Sequence, residues 1–282
     1  MAGPIYFAIG DVHGEAEKLR QLHGAILDRI AFEARAAKIV HLGDYVDRGP
    51  DSRDVIDQVM ALEARFESDP AVEVVSLMGN HEQMMLDAYD VSEATEAGMW
   101  WSQGGAETAD SYAGGAGNGQ TWRETVPKEH ISWMRRLPGM LHDKARRLVF
   151  VHAGIGPTQY PEEEQSTYLW TRSDRFFMQW QWPDREELKG LMVVHGHTPK
   201  SFDPEIYPHR INVDTGALED LAGRFDPAHP EELRAALESG ALLPQHSEAQ
   251  EQALAKLENL LATIEGWVDV VTADATARRP QA

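Results

Sequence analysis

Residues 38–51 read KIVHLGDYVDRGPD, and this stretch decides the fold class. The apolar run over residues 38–42 predicts a buried strand, and the glycines and charged residues after it predict a loop. Pro50 and Asp51 then open a predicted helix over residues 51–68. In α/β proteins, ligands bind where such loops follow the carboxyl ends of strands. The stretch therefore predicts a strand–loop–helix unit with a polar site at the end of its strand.

The same unit occurs once before and once after this stretch. Predicted strands cover residues 5–9 and 72–77, and the helices that follow them cover residues 15–36 and 80–89. Three consecutive units predict a largely parallel first sheet. Strands resume at residues 147–151, 191–195 and 209–213 with hairpin-like spacing, which predicts a second, more antiparallel sheet. We therefore expect an α/β fold in which two sheets stack between helices.

Two regions depart from this rhythm. Residues 91–125 mix tryptophans with many glycines, which predicts an irregular insertion or lid. Pro227 and Pro230 mark a linker, and helices are predicted over residues 231–238 and 247–265. The expected domains are a catalytic domain over residues 1–225 and a helical C-terminal extension over residues 226–282.

The last predicted helix carries apolar residues at alternating spacings of three and four. These residues are Leu254, Leu257, Leu261, Ile264 and Val268. A sustained coiled coil needs about three to four heptads, and this seam has barely two. Two alternatives stay open, namely packing against the chain's own body and a homodimer formed through this helix.

Composition restricts the class of partner and the compartment. The 282 residues carry a net charge of −20 and no Lys/Arg run, which argues against a nucleic-acid partner. No apolar run approaches the roughly 20 residues that cross a bilayer, so no membrane partner is expected. The chain has no cysteine, and its first predicted strand begins too early to leave room for a cleaved signal peptide. We expect a cytoplasmic protein.

Five short motifs place polar residues where predicted strands end. They are Gly10-Asp11-Val12-His13-Gly14, Gly43-Asp44-Tyr45-Val46-Asp47-Arg48-Gly49, Gly79-Asn80-His81-Glu82, Val151-His152-Ala153-Gly154 and His195-Gly196-His197-Thr198. Their oxygen and imidazole groups suit divalent manganese, iron and zinc, and a shared carboxylate can bridge two ions. The motifs therefore predict a two-metal site.

The spacing of these residues suggests how the ligands divide between the ions. Asp11 and His13 lie two apart, so in an extended segment both side chains point to one side and can bind a first ion. Asp44 is the expected bridging carboxylate. The second ion is expected to be completed by Asn80, His152 and His197. Such a set leaves coordination positions open for water and substrate.

This arrangement predicts hydrolysis at phosphorus. A water between two cations has its pKa lowered from about 15.7 to near neutrality, which yields a hydroxide for in-line attack. Arg48 and Arg172 are expected to bind phosphoryl oxygens in bidentate fashion. His81 lies beside the ligand Asn80 and is the expected proton donor to the leaving oxygen, and Asp47 is expected to orient His81 and raise its pKa.

Taken together, the motifs resemble the phosphoprotein phosphatase family of calcineurin-like metallophosphoesterases, in its bacterial, lambda phosphatase-like branch. The resemblance covers residues 4–217 and includes Leu169-Trp170-Thr171-Arg172 and Val213-Asp214-Thr215-Gly216-Ala217. It implies a four-layer α/β/β/α metallophosphoesterase sandwich and two divalent metal ions per chain, with manganese first and iron or zinc as alternatives. It also implies the roles given above to the ligands, the acid pair and the arginines. The sequence departs from the family at residues 218–221, which are acidic where the family adds a glycine-rich strand.

The resemblance implies more than one substrate class. The leading expectation is a serine/threonine protein phosphatase acting on phosphorylated protein or peptide, and the alternative is a diadenosine tetraphosphatase or other nucleotide phosphohydrolase. Tetraphosphatase relatives tend to have a neutral residue at the Asp47 position and Asp at the Glu82 position. Asp47 and Glu82 of this sequence therefore favour the protein phosphatase. A non-catalytic phospho-binding scaffold is a minor alternative, although no expected ligand is missing.

Two histidines and an aromatic run lie near the motifs but outside the predicted metal set. His41 and His195 are expected in the core or behind the ligands, not in the metal set. The aromatic run of Phe176, Phe177, Trp180 and Trp182 has two open interpretations, a wall for substrate and packing of a loop onto the core.

Overall fold

A computed structural model describes residues 3–91, 98–114, 122–199 and 204–216 of the chain. The first sheet has three parallel strands in the order β1 (Ile5–Ile9), β2 (Ala37–His41) and β3 (Val72–Ser76). They are followed in turn by helices α1 (Ala16–Glu33), α2 (Ser52–Phe66) and α3 (Asn80–Asp90). All six elements lie within three residues of their predicted bounds. Helix α1 ends at Ala34, whose φ of 48° is left-handed.

The strands of this sheet are covered on both faces, as their nearly unbroken apolar sequence indicates. Side chains alternate across a strand, so Phe7 and Ile39 face the helices while Tyr6 and Val40 face the opposite direction. Val55 and Val59 of α2 pack against the helix-side residues. The sheet therefore has helices on one side and a second apolar layer on the other.

The second sheet has five strands in the order β4-β5-β6-β8-β7. Their bounds are β4 (Met140–Asp143), β5 (Leu148–Val151), β6 (Met192–His195), β7 (Glu205–Ile206) and β8 (Arg210–Asn212). Strand β6 pairs parallel with both β5 and β8, whereas the two outer pairings are antiparallel. The sheet is therefore mixed, because residues 152–191 form a long crossover instead of a hairpin. Strands β4 and β7 were not predicted.

Three apolar clusters define four layers. One lies between the first sheet and its helices, and a second, which includes Tyr6, Leu42 and Phe150, lies between the two sheets. The third, which includes Val151 and Phe176, lies between the second sheet and the crossover. The crossover contains helices α8 (Gln165–Trp170) and α9 (Asp174–Phe177) and two 3-10 turns, Gln179–Gln181 and Glu186–Leu188. The expected α/β/β/α sandwich is confirmed.

Of the stretch predicted as an irregular insertion, residues 98–113 and 122–125 lie in helices or a π-helical turn. It contains α4 (Gly98–Trp100), a π-helical turn (Trp101–Gly105), α5 (Ala106–Ala113) and α6 (Trp122–Thr125), and α7 (Lys128–Met134) follows. Trp100 and Trp122 are fully buried in the helix-side cluster. The expectation of an irregular segment is wrong for these residues, because burial of their large aromatic side chains stabilises helices despite the glycines. Residues 92–97 and 115–121, with most of the glycine-rich part, lie outside the described residues.

Several sequence predictions fall beyond the last described residue. The boundary after residue 225, the helical extension over residues 226–282 and its dimerisation seam all lie outside the described residues. Within the described ranges, no helix combines the length and apolar character that crossing a bilayer requires.

Candidate active site

The predicted site residues converge at the carboxyl ends of five strands. Asp11 and His13 follow β1, Asp44 follows β2, and Asn80 begins α3 just after β3. His152 and His197 directly follow β5 and β6 of the second sheet. All six are buried. The site therefore lies where the two sheets meet, and each sheet contributes ligands.

Backbone strain concentrates in these loops. Left-handed φ angles occur at His13 (44°), Asp44 (54°), Asp47 (72°), Arg48 (69°) and His197 (70°). Residues with a side chain adopt this conformation at an energetic cost, and such strain clusters at functional sites. The loops are also tightly packed, since a Cβ atom on Gly43 would lie 2.5 Å from the Cα atom of Gly79.

Asp44 lies at the centre of the cluster. Its Oδ2 atom is 3.6 Å from Nε2 of His13, and its Oδ1 atom is 3.4 Å from Nε2 of His152. Nε2 of His13 is in turn 4.0 Å from Oδ2 of Asp11. One carboxylate therefore faces ligand atoms of both predicted metal positions, as a bridging ligand must.

The second position brings together the remaining ligands. Nε2 of His152 lies 2.8 Å from Oδ1 of Asn80 and 3.1 Å from Nδ1 of His197. The ligand atoms of Asp44, His152 and His197 all lie within 4.8 Å of one another, which is close enough to hold an ion. The sequence-predicted set of six is thus brought together in two groups that share Asp44.

Backbone carbonyls orient two of these imidazoles. Nδ1–H of His13 donates to the carbonyl oxygen of Val46 at 2.9 Å, and Nδ1–H of His152 donates to that of Leu42 at 2.9 Å. In each ring the Nε2 lone pair is then left to face Asp44. Metal-binding histidines are characteristically fixed in this way.

The electrostatics of the cluster fit divalent cations. Burial raises the pKa of Asp11 and Asp44, and repulsion from Asp214 and from Asp11, respectively, raises them further. Burial lowers the pKa of His13 and His152, and it lowers that of His197 to about 3. Buried carboxylates that repel one another are unfavourable without a cation, and neutral imidazoles are the form that binds metal. The donor set is therefore suited to two divalent ions.

His81 and Asp47 form the predicted pair. Nδ1–H of His81 donates to Oδ2 of Asp47 at 2.7 Å, and both residues are buried. Nε2 of His81 points to the cluster, 3.9 Å from Oδ2 of Asp44. His13, Asp44 and His81 also form a group close enough to hold an ion, so the geometry brings His81 near the metal position while its acid role stays a prediction.

The pKa of His81 shifts opposite to the direction expected from the sequence. Burial, helped by the charges of Arg48 and Arg172, lowers the His81 pKa to about 3, and burial raises the Asp47 pKa to about 8. The expectation that Asp47 would raise the His81 pKa is therefore wrong, because loss of solvation outweighs the attraction of the carboxylate.

The two predicted arginines lie at the exposed rim of the cluster. Arg48 donates to Nε2 of His13 at 2.9 Å and to Nε2 of His81 at 3.2 Å. Nε of Arg172 donates to Nε2 of His197 at 3.1 Å. One guanidinium group therefore contacts a predicted ligand of each metal position, where it can meet an incoming oxyanion.

Sequence reasoning missed the residues that hold these loops in place. The buried Glu82 carboxylate accepts backbone N–H groups from Asp44 (2.8 Å), Tyr45 (2.7 Å), Val46 (3.2 Å) and Gly79 (3.0 Å). It thereby fixes the loop that carries the bridging ligand. The signal was its place within Gly-Asn-His-Glu, where a buried carboxylate lies directly beside two site residues.

The residues excluded from the metal set lie elsewhere. Nε2 of His41 pairs with Nε2 of His23 at 2.8 Å, and His195 accepts from Arg210 at 3.2 Å. In the aromatic run, Phe176 and Phe177 are buried and belong to the third apolar cluster, with Trp182 packed against it. Only Trp180 of this run is fully exposed. Packing onto the core therefore accounts for three of the four.

Relatives of this chain include phosphohydrolases of two kinds. The symmetrical bis(5′-nucleosyl)-tetraphosphatase of Serratia proteamaculans is 32% identical over 220 residues, which cover 75% of this chain and 62% of that protein. The serine/threonine-protein phosphatase 2 of Escherichia coli is 32% identical over 99 residues, which cover 35% of this chain and 38% of that protein. The chain spans between 43% and 65% of the length of three tetraphosphatases that it matches.

Solved structures share the fold at low sequence identity. A putative diadenosine tetraphosphatase superimposes with a TM-score of 0.50 at 18% identity, covering 76% of this chain and 85% of that one. A cold-active protein-tyrosine phosphatase of a Shewanella species gives a TM-score of 0.51 at 18% identity, covering 77% and 72%. At this level of identity both show the architecture alone.

Two family models match the chain. A zincin-like metallopeptidase model matches residues 204–281, little more than a quarter of the chain and largely outside the described residues. A calcineurin-like phosphoesterase model matches residues 6–221, which include all six predicted ligands and, apart from Ile5, every strand of the described residues. Since this match spans about three quarters of the sequence, the chain belongs to the calcineurin-like phosphoesterase family.

Proposed function

We propose that this chain hydrolyses a phosphate anhydride bond of a dinucleoside tetraphosphate. Two carboxylate–imidazole groups that share Asp44 supply the site for phosphorus chemistry, and relatives named as symmetrical tetraphosphatases align with 75% of the chain at 32% identity. This reverses the preference for a protein phosphatase drawn from Asp47 and Glu82. Two positions weigh less than an alignment over some 220 residues.

The site residues have three proposed roles, namely metal binding, phosphate binding and proton donation. Asp11, His13 and Asp44 would hold one ion, and Asp44 would share the other with Asn80, His152 and His197. When bound, two divalent cations, with manganese the first candidate, supply an activated water and neutralise charge on phosphoryl oxygens. Arg48 and Arg172 orient the phosphate chain through their exposed guanidinium groups. His81, oriented by Asp47, would protonate a leaving oxygen that needs a proton, as the oxygen of an alcohol does.

An exposed aromatic ring beside the site supports a nucleotide substrate. Trp170 is 41% exposed, and its ring lies 6.2 Å from the ring of the expected ligand His197, nearly perpendicular to it at 83°. Two residues later, Arg172 donates to the same histidine. An indole face beside a phosphate-binding arginine can stack on a nucleobase, which is worth about 1–3 kcal/mol per base.

The buried acid pair favours a second candidate, hydrolysis of phosphoserine or phosphothreonine in protein or peptide. An alkoxide leaves poorly without a proton, whereas a nucleotide phosphate leaves well as an anion. The 2.7 Å contact between His81 and Asp47 forms an acid pair of the kind that can give a proton to an alcohol leaving group. The similarity of 99 residues to a serine/threonine-protein phosphatase supports this candidate as well.

One comparison of substrates separates the two candidates. The full chain, loaded with Mn²⁺, is assayed for nucleotide release from diadenosine tetraphosphate and for orthophosphate release from a phosphothreonine peptide. A higher kcat/KM for the dinucleotide supports the first proposal, and a higher value for the peptide replaces it with the second. Absence of turnover on both substrates would contradict both.

Two variants test the assigned roles in the same assay. His81→Asn should lower turnover of the peptide by about 10²- to 10⁴-fold and affect the dinucleotide much less, because only the alcohol needs the proton. Trp170→Ala should raise KM for the dinucleotide by about tenfold through lost stacking. Trp180→Ala, which removes another exposed indole, is the matched control and should leave KM unchanged.

A further inference from the structure

Asp214 is a buried acid that the proposed chemistry does not use. It follows β8 and is 4% exposed. Its Oδ1 atom accepts the N–H of Gly216 at 3.0 Å, and its own N–H donates to Oδ1 of Asn212 at 3.1 Å. Among the described residues, its Oδ2 atom is buried without a hydrogen-bond partner. An ionisable oxygen left in this state calls for an explanation, since burial without a partner is costly.

The surroundings of Asp214 place it against the first metal position. A Cβ atom on Gly196 would lie 2.3 Å from Oδ1 of Asp11 and 3.5 Å from Cβ of Asp214, so both acidic side chains pack against this glycine. A Cβ atom on Gly10 would lie 3.3 Å from Cα of Asp214. Repulsion from Asp214 also raises the pKa of Asp11, second only to burial. The two carboxyl groups are therefore close neighbours.

Because of Asp214, the two metal positions differ in the number of carboxyl groups near them. The position of Asp11 and His13 has Asp44 on one side and Asp214 behind Asp11, which gives three carboxyl groups. Among the ligands of the other position Asp44 is the one carboxylate, because Asn80, His152 and His197 are neutral, and the Glu82 carboxylate lies beside Asp44, which both positions share. The number of carboxylates around an oxygen-rich site tunes its affinity for a divalent cation, and residues behind the ligands change that affinity markedly.

We propose that Asp214 is a positioning residue whose negative charge strengthens cation binding at the Asp11–His13 position and makes it the tighter of the two. It acts through Asp11 and is not itself a ligand. This inference rests on the proposed two-metal function. It concerns only the relative affinity of the two positions.

The test is a titration of the metal-free full chain with Mn²⁺ by calorimetry, which reads binding and not turnover. Wild-type protein is expected to show two classes of site. Asp214→Asn should weaken the tighter class by about 10- to 100-fold and leave the weaker class unchanged. The amide keeps the shape of the side chain, so the variant removes the negative charge without opening a cavity. Asp184→Asn, which neutralises a carboxylate that is 90% exposed, is the matched control and should bind as the wild type.

The outcomes distinguish failure of this inference from failure of the proposed function. Unchanged binding by Asp214→Asn beside a wild type that binds two ions overturns this inference and leaves the proposed function standing. An equal loss in Asp184→Asn also overturns it, because the effect would then be one of net charge. A wild type that binds no Mn²⁺ contradicts the proposed function itself. Equal thermal stability of the metal-free wild type and Asp214→Asn shows that a loss of affinity does not reflect unfolding.

Discussion

The indole N–H of Trp100 donates to Oδ1 of Asp47 at 2.9 Å, in a contact that is wholly buried. The hydroxyl of Thr108 donates to the same oxygen at 2.8 Å, while the other oxygen accepts from His81. The segment between α3 and α7 thus reaches the active site through the carboxylate that orients His81. Its helices therefore contact the predicted His81–Asp47 pair through Trp100 and Thr108.

Loss of the Trp100 contact is expected to impair proton transfer without changing metal content. Trp100→Phe keeps an aromatic ring at this position and removes one hydrogen bond to a carboxylate, which is worth about 1.5–3 kcal/mol. Turnover of a phosphothreonine peptide should fall by about tenfold or more.

Trp122→Phe is the matched control for this experiment. Trp122 contacts Trp100 in a tilted arrangement with ring centroids 4.3 Å apart, and it is equally buried. Its indole nitrogen has no hydrogen-bond partner among the described residues. Equal losses in the two variants would assign the effect to packing instead of the hydrogen bond.

Asp44→Asn should empty both metal positions. Its carboxylate faces Nε2 of His13 at 3.6 Å and Nε2 of His152 at 3.4 Å, so the amide would weaken both groups at once. Elemental analysis of the Mn²⁺-loaded and desalted protein should find close to two ions in the wild type and far fewer in the variant. Asn80→Ala, which touches the second position only, should retain one. Two ions per chain in Asp44→Asn would show that Asp44 is not a bridge.

Glu82→Gln should destabilise the fold more than removal of an ordinary surface charge. One of the two oxygens that accept four backbone N–H groups becomes an NH₂ group, which leaves donors facing donors. The expected loss in free energy of unfolding is about 3 kcal/mol. Urea denaturation of the metal-free chain measures it. Glu73→Gln, at a surface ion pair with Lys38, should cost no more than about 1 kcal/mol.

Acid should destabilise the metal-free protein through the buried pair of His23 and His41. Burial lowers the His23 pKa to about 4 and lowers that of His41 as well. Between pH 6.5 and 4 the unfolded chain binds protons at these rings and the folded chain does not. Stability is therefore complete above about pH 6.5 and falls below it, by about 1.4 kcal/mol per pH unit for each proton.

Substitution of His23 isolates its share of this effect. His23→Gln removes one titrating group, so unfolding free energies measured by urea at pH 7 and pH 5 should differ less in the variant than in the wild type. An identical difference in both proteins would contradict the assignment of this pH dependence to His23.

The strands and ligands were predictable because each depends on local sequence. Mostly apolar runs such as residues 38–42 form the strands, and the predicted ligands follow them within a few residues. Strands β4 and β7 escaped prediction since they have four and two residues, all half-buried, and carry no clear alternation. Burial depth was equally invisible, so the direction of the His81 pKa shift was predicted wrongly.

The supporting contacts could not be predicted because they join distant parts of the chain. Thr108 lies 61 residues from Asp47, and Trp100 lies 53 residues from it. The glycines that suggested an irregular loop serve close packing instead. Gly104 has a φ of 102°, and a Cβ atom there would lie 2.6 Å from the backbone nitrogen of Arg48. Only the folded structure shows that a helix is pressed against the active-site loop.

The ligands come from both halves of the sandwich, with Asp11, Asp44 and Asn80 after strands of one sheet and His152 and His197 after strands of the other. Cations bound to ligands from both sheets would cross-link the two sheets at the end of their shared core. Ions that bind only the assembled site stabilise the folded state, and the stabilisation rises with the logarithm of their concentration once it exceeds Kd. The amount of folded protein in a cell would then depend on the supply of the metal. A shortage of the metal would destabilise the fold as well as remove the ions that the proposed reaction needs.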